Sequence, residues 1–296
     1  MRHFISITDL SASEIMGIIE SAIELKTGSK NPDSPLRNKS MAMIFDKPSL
    51  RTRLSFEVGM TQLGGHAVYL APDDIKLGKR ETVHDSAVVI SSMADVIVAR
   101  VSSHEAVTEL AKYSTKPVIN AMTDLEHPCQ ALADLQTIYE RFGTFDGLKI
   151  AYVGDANNNV TNSLVLAAGL LGMEMSIAAP SGYGLMPEIA GRAGRLQQFE
   201  DAESAVKGAH VVITDTWISM GKETERSERL EALAPFQVNR SLMELADEKA
   251  IFMHCLPAYR DKEVTAEVVD GPQSVVFAEA ENRLHAEKAL LLFLLT

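Results

Sequence analysis

Cysteine is nearly missing from this chain. There are two among 296 residues, Cys129 and Cys255, and neither belongs to a Cys-x-x-Cys pair. That excludes a disulfide framework and fits a reducing compartment. Long apolar runs are missing too. The longest, Ala289 to Leu295, is far short of a membrane span, and Met1-Arg2-His3-Phe4 opens no secretory apolar region. A cytoplasmic protein with no membrane contact is expected. Positive charge is in deficit: 28 Lys and Arg against 40 Asp and Glu leave a formal charge of −12. That balance argues against a nucleic-acid partner or an anionic membrane surface. Neither Gly-x-Gly-x-x-Gly nor Gly-x-x-x-x-Gly-Lys-Ser/Thr occurs, so neither dinucleotide binding nor P-loop hydrolysis is supported. His127 lies two residues before Cys129, and His254 adjoins Cys255. Those spacings do not match the usual zinc-ligand patterns, so no metal is expected.

What is present is a globular composition, 46% hydrophobic and 23% charged, with length enough for two domains. Ser11-Ala12-Ser13-Glu14 has the spacing of a capping box, and Ile15, Ile18, Ile19, Ala22 and Ile23 continue it as one helical face. A polar loop is expected over Asn31–Asn38. Strand-like runs follow at Met41–Phe45, Ala67–Leu70, Asp95–Val101 and Pro117–Ala121, with helical stretches between them. His127–Arg141 reads as a longer helix. The alternation then restarts, with strands expected at Leu148–Val153, Met175–Ala179, Val211–Thr214, Ile251–His254 and Val275–Phe277. Such alternation predicts an α/β protein of two domains, each a parallel sheet flanked by helices. The boundary is placed near Gly143–Gly147, giving domains over 1–143 and 144–281. Residues 282–296 form a C-terminal helix that either stays with the second domain or packs back on the first.

Chemistry concentrates where these strands end, and open parallel sheets bind ligands outside the carboxyl ends of their strands. Lys47-Pro48-Ser49-Leu50-Arg51-Thr52-Arg53 sits on a strand-to-helix turn. Ser49 is placed to cap the helix, whose first N–H groups and dipole favour an anion. A guanidinium such as Arg51 can grip a phosphate with two parallel bonds. The stretch reads either as a phosphate cradle or as a solvated basic turn. Arg100 directly follows a buried strand and either reaches a phosphate or carbonyl oxygen or faces solvent. His127 and Gln130 lie three residues apart at a helix start and suit a polar amide-like group, or simply cap the helix. Asn157-Asn158-Asn159 is a second strand-to-helix turn, for capping or for a polar ligand. Asp215, at another strand end, could bind a cationic amine, with Ser219-Met220-Gly221 as a loop closing over it. Cys255 is either a buried inert thiol or a ligand contact.

Lys47–Arg53, Arg100, His127–Gln130, Asp215–Gly221, His254–Pro257 and Glu279–Arg283 together resemble the aspartate/ornithine carbamoyltransferase family over essentially the whole chain. Asp-x-x-x-Ser-Met-Gly and His-Cys-Leu-Pro point to its ornithine branch. The resemblance implies transfer of a carbamoyl group from carbamoyl phosphate to the side-chain amine of L-ornithine, with no cofactor. It implies that Ser49, the backbone of Leu50, Arg51 and Thr52 bind the phosphate. Arg100, His127, Gln130 and Arg283 would hold and polarise the carbamoyl group, with Cys255 and Leu256 in contact. Asn159, Asp215, Ser219 and Met220 would bind ornithine. Arg51, Arg100, His127, Gln130 and Cys255 are the residues expected to act in the chemistry. A homotrimer, or a multiple of trimers, is implied, with the Pro72–Arg80 loop contributed by a neighbouring subunit. Two positions depart from the pattern. Leu50 stands where a Thr is usual, which removes a hydroxyl but keeps the N–H. Lys76 stands where Gln or His is usual, and its charge could compensate at the phosphate. The alternatives are another amine acceptor (putrescine or an N-acylated ornithine) and a catalytically impaired scaffold of the same fold.

Overall fold

The computed structural model describes residues 1–29, 33–75, 77–218 and 223–296. Lys76, Ser219 and Met220 therefore lie outside the described residues, as do Gly221 and the first part of the Asn31–Asn38 loop. The chain divides into two compact units. One comprises Met1–Gln136 with Glu281–Thr296, the other Thr137–Ala280.

The first unit holds four parallel strands: β1 (Ser40–Phe45), β2 (His66–Leu70), β3 (Val96–Arg100) and β4 (Val118–Met122). They lie in the order β2-β1-β3-β4. The two central strands are almost wholly buried, whereas the edge strand β2 is exposed or half-buried along its length. This is what a sheet covered on both faces requires: apolar runs in the middle, mixed composition at the rim. Ile44, Ile97 and Ala99 pack on one side with Val83, Ala87, Val107 and Leu110 from the flanking helices. The first long helix, Ala12–Thr27, begins at Ser11, whose side chain receives the Glu14 N–H while Glu14 reaches back. The expected capping box is therefore made.

The second unit holds five parallel strands: β5 (Lys149–Val153), β6 (Glu174–Ala178), β7 (Arg195–Phe199), β8 (Val211–Ile213) and β9 (Ile251–Met253). Their order is β7-β6-β5-β8-β9. Two differences from the sequence reading stand out. β7 was not expected, because Arg-Leu-Gln-Gln-Phe carries two apolar residues and sits at the sheet edge, exposed or half-buried throughout. Val275–Phe277 was expected as a strand and is not one. Ser274 makes a single parallel bridge to Phe252, and from Val276 the chain is helical to Leu295. A three-residue apolar run does not distinguish a strand from the start of a buried helix.

Both sheets share a topological property, a reversal of strand order. In the first, the strand order reverses direction between β1 and β3; in the second, between β5 and β8. Loops leaving the carboxyl ends of such a pair diverge to opposite faces of the sheet and leave a crevice between them.

Candidate active site

In the first unit the switch point falls between the Ser49 turn, after β1, and Arg100, the last residue of β3. The helix Leu50–Gln62 starts at Ser49, whose backbone is extended and whose side chain makes no capping bond. The helix N-terminus thus keeps its donors, and the Ser49 hydroxyl is not spent on them. Leu50 projects outward, 75% exposed, whereas Thr52 is only 1% exposed. The Thr52 hydroxyl accepts from Arg100 Nη1 at 3.2 Å and from Arg283 Nη2 at 3.3 Å. One hydroxyl therefore joins two buried guanidiniums brought from β3 and from the C-terminal helix.

His127 precedes the helix Pro128–Phe142, and its carbonyl accepts the Gln130 and Ala131 N–H groups. Its side chain is buried. Burial first, then the positive charges of Arg283, Arg100 and Arg51, push the imidazole well below its usual value. At neutral pH His127 is an uncharged ring, able to donate from one nitrogen and accept at the other. Gln130 is held at both ends. Its Oε1 accepts from Arg283 Nη1 at 2.9 Å, and its Nε2 donates to Asp134 at 2.8 Å. Cys129, between them, bonds to the backbone. Its thiol donates to the Asn120 carbonyl at 3.3 Å, and burial, followed by the Glu287 charge, pushes it well above the ordinary thiol value.

In the second unit the switch point brings together the turn after β5 and the residues after β8. Gly154 has a φ of +126°, and a Cβ there would lie 3.3 Å from both the Thr214 hydroxyl and the Trp217 indole nitrogen. Glycine suits this position for its backbone angle, and a Cβ would also crowd both neighbours. Asn158 caps the helix Asn159–Leu171, accepting the Thr161 N–H. It also donates to the Tyr152 hydroxyl at 2.8 Å. The middle asparagine is thus the cap, and Asn159 opens the helix half-buried. Asp215 is half-buried. Its Oδ1 accepts the Thr216 N–H at 2.7 Å and the Cys255 thiol at 3.4 Å.

Asp155, from the same turn as Asn158, is buried against Arg229 at 2.6 Å. Arg229 also donates to the Trp217 carbonyl at 3.2 Å and to Glu225 at 2.8 Å. It therefore joins Trp217 and Glu225 to the β5 turn. After β9, Leu256 is held at a φ of +58°, an unusual angle for a branched side chain. Its N–H donates to His254 Nδ1 at 2.9 Å. Nδ1 is thereby the acceptor nitrogen, which assigns the ring proton to Nε2, 3.3 Å from Glu263. Asp215, His254 and Cys255 bring possible metal-ligating atoms within 4.8 Å of one another. Both His254 nitrogens are already engaged, so this trio is no ready metal site.

The geometry fits one lineage. A family model described as the aspartate/ornithine carbamoyltransferase carbamoyl-P binding domain matches residues 2–140. The companion Asp/Orn binding domain matches residues 146–294. The chain belongs to the aspartate/ornithine carbamoyltransferase family. It is 51% identical to the ornithine carbamoyltransferase of Methylococcus capsulatus, over 100% of this chain and 99% of the relative. It is also 51% identical to that of Methanosarcina acetivorans, over 99% of each. The solved structure of the Pyrococcus furiosus ornithine carbamoyltransferase superposes with a TM-score of 0.95 at 47% identity, covering 99% of this chain and 97% of that one. The carbamoyltransferase architecture of two helix-flanked parallel sheets is the one observed here.

Of the residues singled out in the sequence, Ser49, Leu50, Arg51, Thr52, Arg100, His127, Gln130 and Arg283 fall in the first unit, and Asn159, Asp215, Cys255 and Leu256 in the second. Thr52, Arg100, Gln130 and Arg283 form one bonded cluster, and Asp215 and Cys255 a second pair. Sequence reasoning missed Asp134, Glu287 and Arg229. The first two are each four residues beyond a site residue on a helix, the spacing at which side chains meet, and that signal was available. Arg229 lies 74 residues from Asp155 and carries no local signal.

Proposed function

We propose that this protein transfers the carbamoyl group of carbamoyl phosphate to the side-chain amine of L-ornithine, giving L-citrulline and phosphate. The observation that carries the reading is the Thr52 hydroxyl joined to Arg100 and Arg283 at a strand-order switch point, together with an imidazole that burial and the same arginines keep neutral. Dense fixed cations, a helix N-terminus and a neutral donor are what a phosphorylated carbonyl substrate needs. The first unit takes carbamoyl phosphate. Ser49, the Leu50 N–H, Arg51 and Thr52 bind the phosphate, while Arg100, His127, Gln130 and Arg283 take the carbamoyl group. Lys76 adds a cation. The second unit takes the acceptor. The Asp215 carboxylate suits the α-ammonium group of ornithine, with Asn159, Ser219 and Met220 as further contacts and Cys255 and Leu256 beside them.

The attacking amine must be neutral. It adds to the carbamoyl carbon, and negative charge develops on the carbonyl oxygen. Arg51, Arg100 and His127 stabilise that charge, an effect worth about 10²–10³ in rate for each well-placed donor. Phosphate leaves and accepts the amine's proton. Holding both substrates in place removes much of the entropic barrier.

The assembly we infer is a homotrimer or a multiple of one. Its support is the family resemblance and the apolar side chains that the first unit leaves exposed, among them Leu54, Val88, Val89 and Met93. We also infer a cytoplasmic location. Among the described residues, no helix is long and apolar enough to cross a membrane.

The test is citrulline formation by the purified protein from carbamoyl phosphate and ornithine, with putrescine and N-acetylornithine run alongside. Turnover with ornithine alone is expected. Preference for another amine would overturn the assignment of Asp215, and a folded sample inactive with all three would mean a scaffold.

A further inference from the structure

Glu287 is buried among arginines. It is 1% exposed, on the same helix as Arg283 and four residues beyond it. Its Oε1 accepts from Arg283 Nε at 2.9 Å and from Nη2 at 2.6 Å. Nη2 has its second bond to Thr52, and Nη1 reaches Gln130 at 2.9 Å. A guanidinium carries five N–H donors in a rigid plane. Four are therefore assigned within this unit, two of them to Glu287. The plane cannot rotate about its long axis without breaking the carboxylate pair. The fifth hydrogen, on Nη1 beside Gln130, has no partner among the described residues. Burial raises the Glu287 carboxyl above its usual value, against the opposing pull of Arg283, the Ser55 hydroxyl and Arg100.

We propose that Glu287 is a positioning residue for carbamoyl transfer: it locks the Arg283 guanidinium so that Nη1 is presented to the substrate beside the Gln130 amide. Glu287 touches no substrate; it acts through Arg283. The inference rests on the functional reading above and extends it to a residue outside the site motifs.

Glu287→Leu removes the lock. A loss of about 10- to 150-fold in kcat/KM for carbamoyl phosphate is expected, the size associated with hydrogen bonds to a charged group. Glu287→Gln keeps an acceptor oxygen in place without the charge, and neutral bonds are about half as strong. The expected loss shrinks to about four- to twelvefold. KM for ornithine changes by less than about twofold in both variants, because Arg283 serves only the carbamoyl side. The deciding measurement is a cycle with Arg283→Gln. In that background Glu287→Gln adds less than about twofold, since its route of action is gone. An additive loss in the cycle overturns the proposal. So does a Glu287→Leu enzyme whose kcat/KM per folded molecule matches wild type, which would make Glu287 structural only.

Carbamoyl phosphate binding is measured by calorimetry in parallel, without an acceptor. Weakening in Glu287→Leu with recovery in Glu287→Gln supports the lock even if Arg283→Gln does not fold. Equal binding by all forms overturns it. Should the wild type make no citrulline, the functional reading fails, and the binding series still decides the role of Glu287.

Discussion

The two units solve one backbone problem with opposite chemistry. Each is a parallel sheet whose order reverses at an inner pair of strands, and each gathers polar residues at the carboxyl ends of its strands. The first fills the crevice with cations: Arg100 and Arg283 converge on one threonine, and Arg51 acts with them on His127. The second presents the Asp215 carboxylate with a thiol against it, and its buried arginine is neutralised by Asp155 and Glu225. The two crevices thus share a backbone arrangement and differ in the charge of the residues set on it.

The largest expected effect breaks the second unit. Arg229→Met leaves Asp155 charged and buried without its partner, which costs about 3–5 kcal/mol. Chemical denaturation followed by circular dichroism reads this, and a loss below about 1 kcal/mol would show that the pair does not hold the β5 turn.

Next comes a double dissociation. Arg100→Leu is expected to lower kcat by about 10²–10³ with ornithine binding nearly intact. Asp215→Asn is expected to raise KM for ornithine about 10- to 150-fold, with carbamoyl phosphate binding unchanged in calorimetry. Parallel losses of both substrates in either variant would erase the division of labour.

A smaller effect sharpens the contrast in electrostatics. His127 is held neutral in the folded protein, its value well below the ordinary 6.5. Below about pH 6.5 the unfolded chain binds a proton there that the folded chain refuses. Stability is therefore lost as pH falls through that region, by up to about 1.4 kcal/mol per pH unit from this group. His127→Gln should flatten that slope between pH 6.5 and 5 in denaturation midpoints. An unchanged slope would mean that burial and the arginines do not hold His127 neutral in the folded protein. Smallest of all is Leu50→Thr. The side chain is exposed at the helix start, so a regained hydroxyl should lower KM for carbamoyl phosphate only about two- to tenfold. No change would show that the N–H at this position suffices.

The inner strands β1, β3, β5 and β8 were legible because sheets covered on both faces demand apolar runs, and the edge strand β9 was legible because it is buried as well. β7 was not legible. An edge strand of Arg, Leu, Gln, Gln and Phe obeys no burial pattern strong enough to mark it. Val275–Phe277 misled because apolarity there serves a helix that begins at Val276. The candidate site was legible where charge and turn chemistry coincide locally, as at Ser49–Thr52 and His127–Gln130. Its supports were less so. Arg229 meets Asp155 only through folding, and Glu287 reads as one more surface carboxylate until the burial of its helix face is known.

One helix has a further consequence. Residues 276–280 of Val276–Leu295 belong to the second unit, where Glu279 accepts the His254 N–H, while Arg283 and Glu287 belong to the first. The first unit is therefore discontinuous in the gene. During synthesis its residues 1–136 emerge early but lack the guanidinium that completes their cluster, and they wait for the whole second unit to be translated. A fragment ending before residue 281 carries all four strands of the first sheet but neither Arg283 nor Glu287. Supplying the missing helix as a separate peptide is the way to ask whether the two pieces recognise each other.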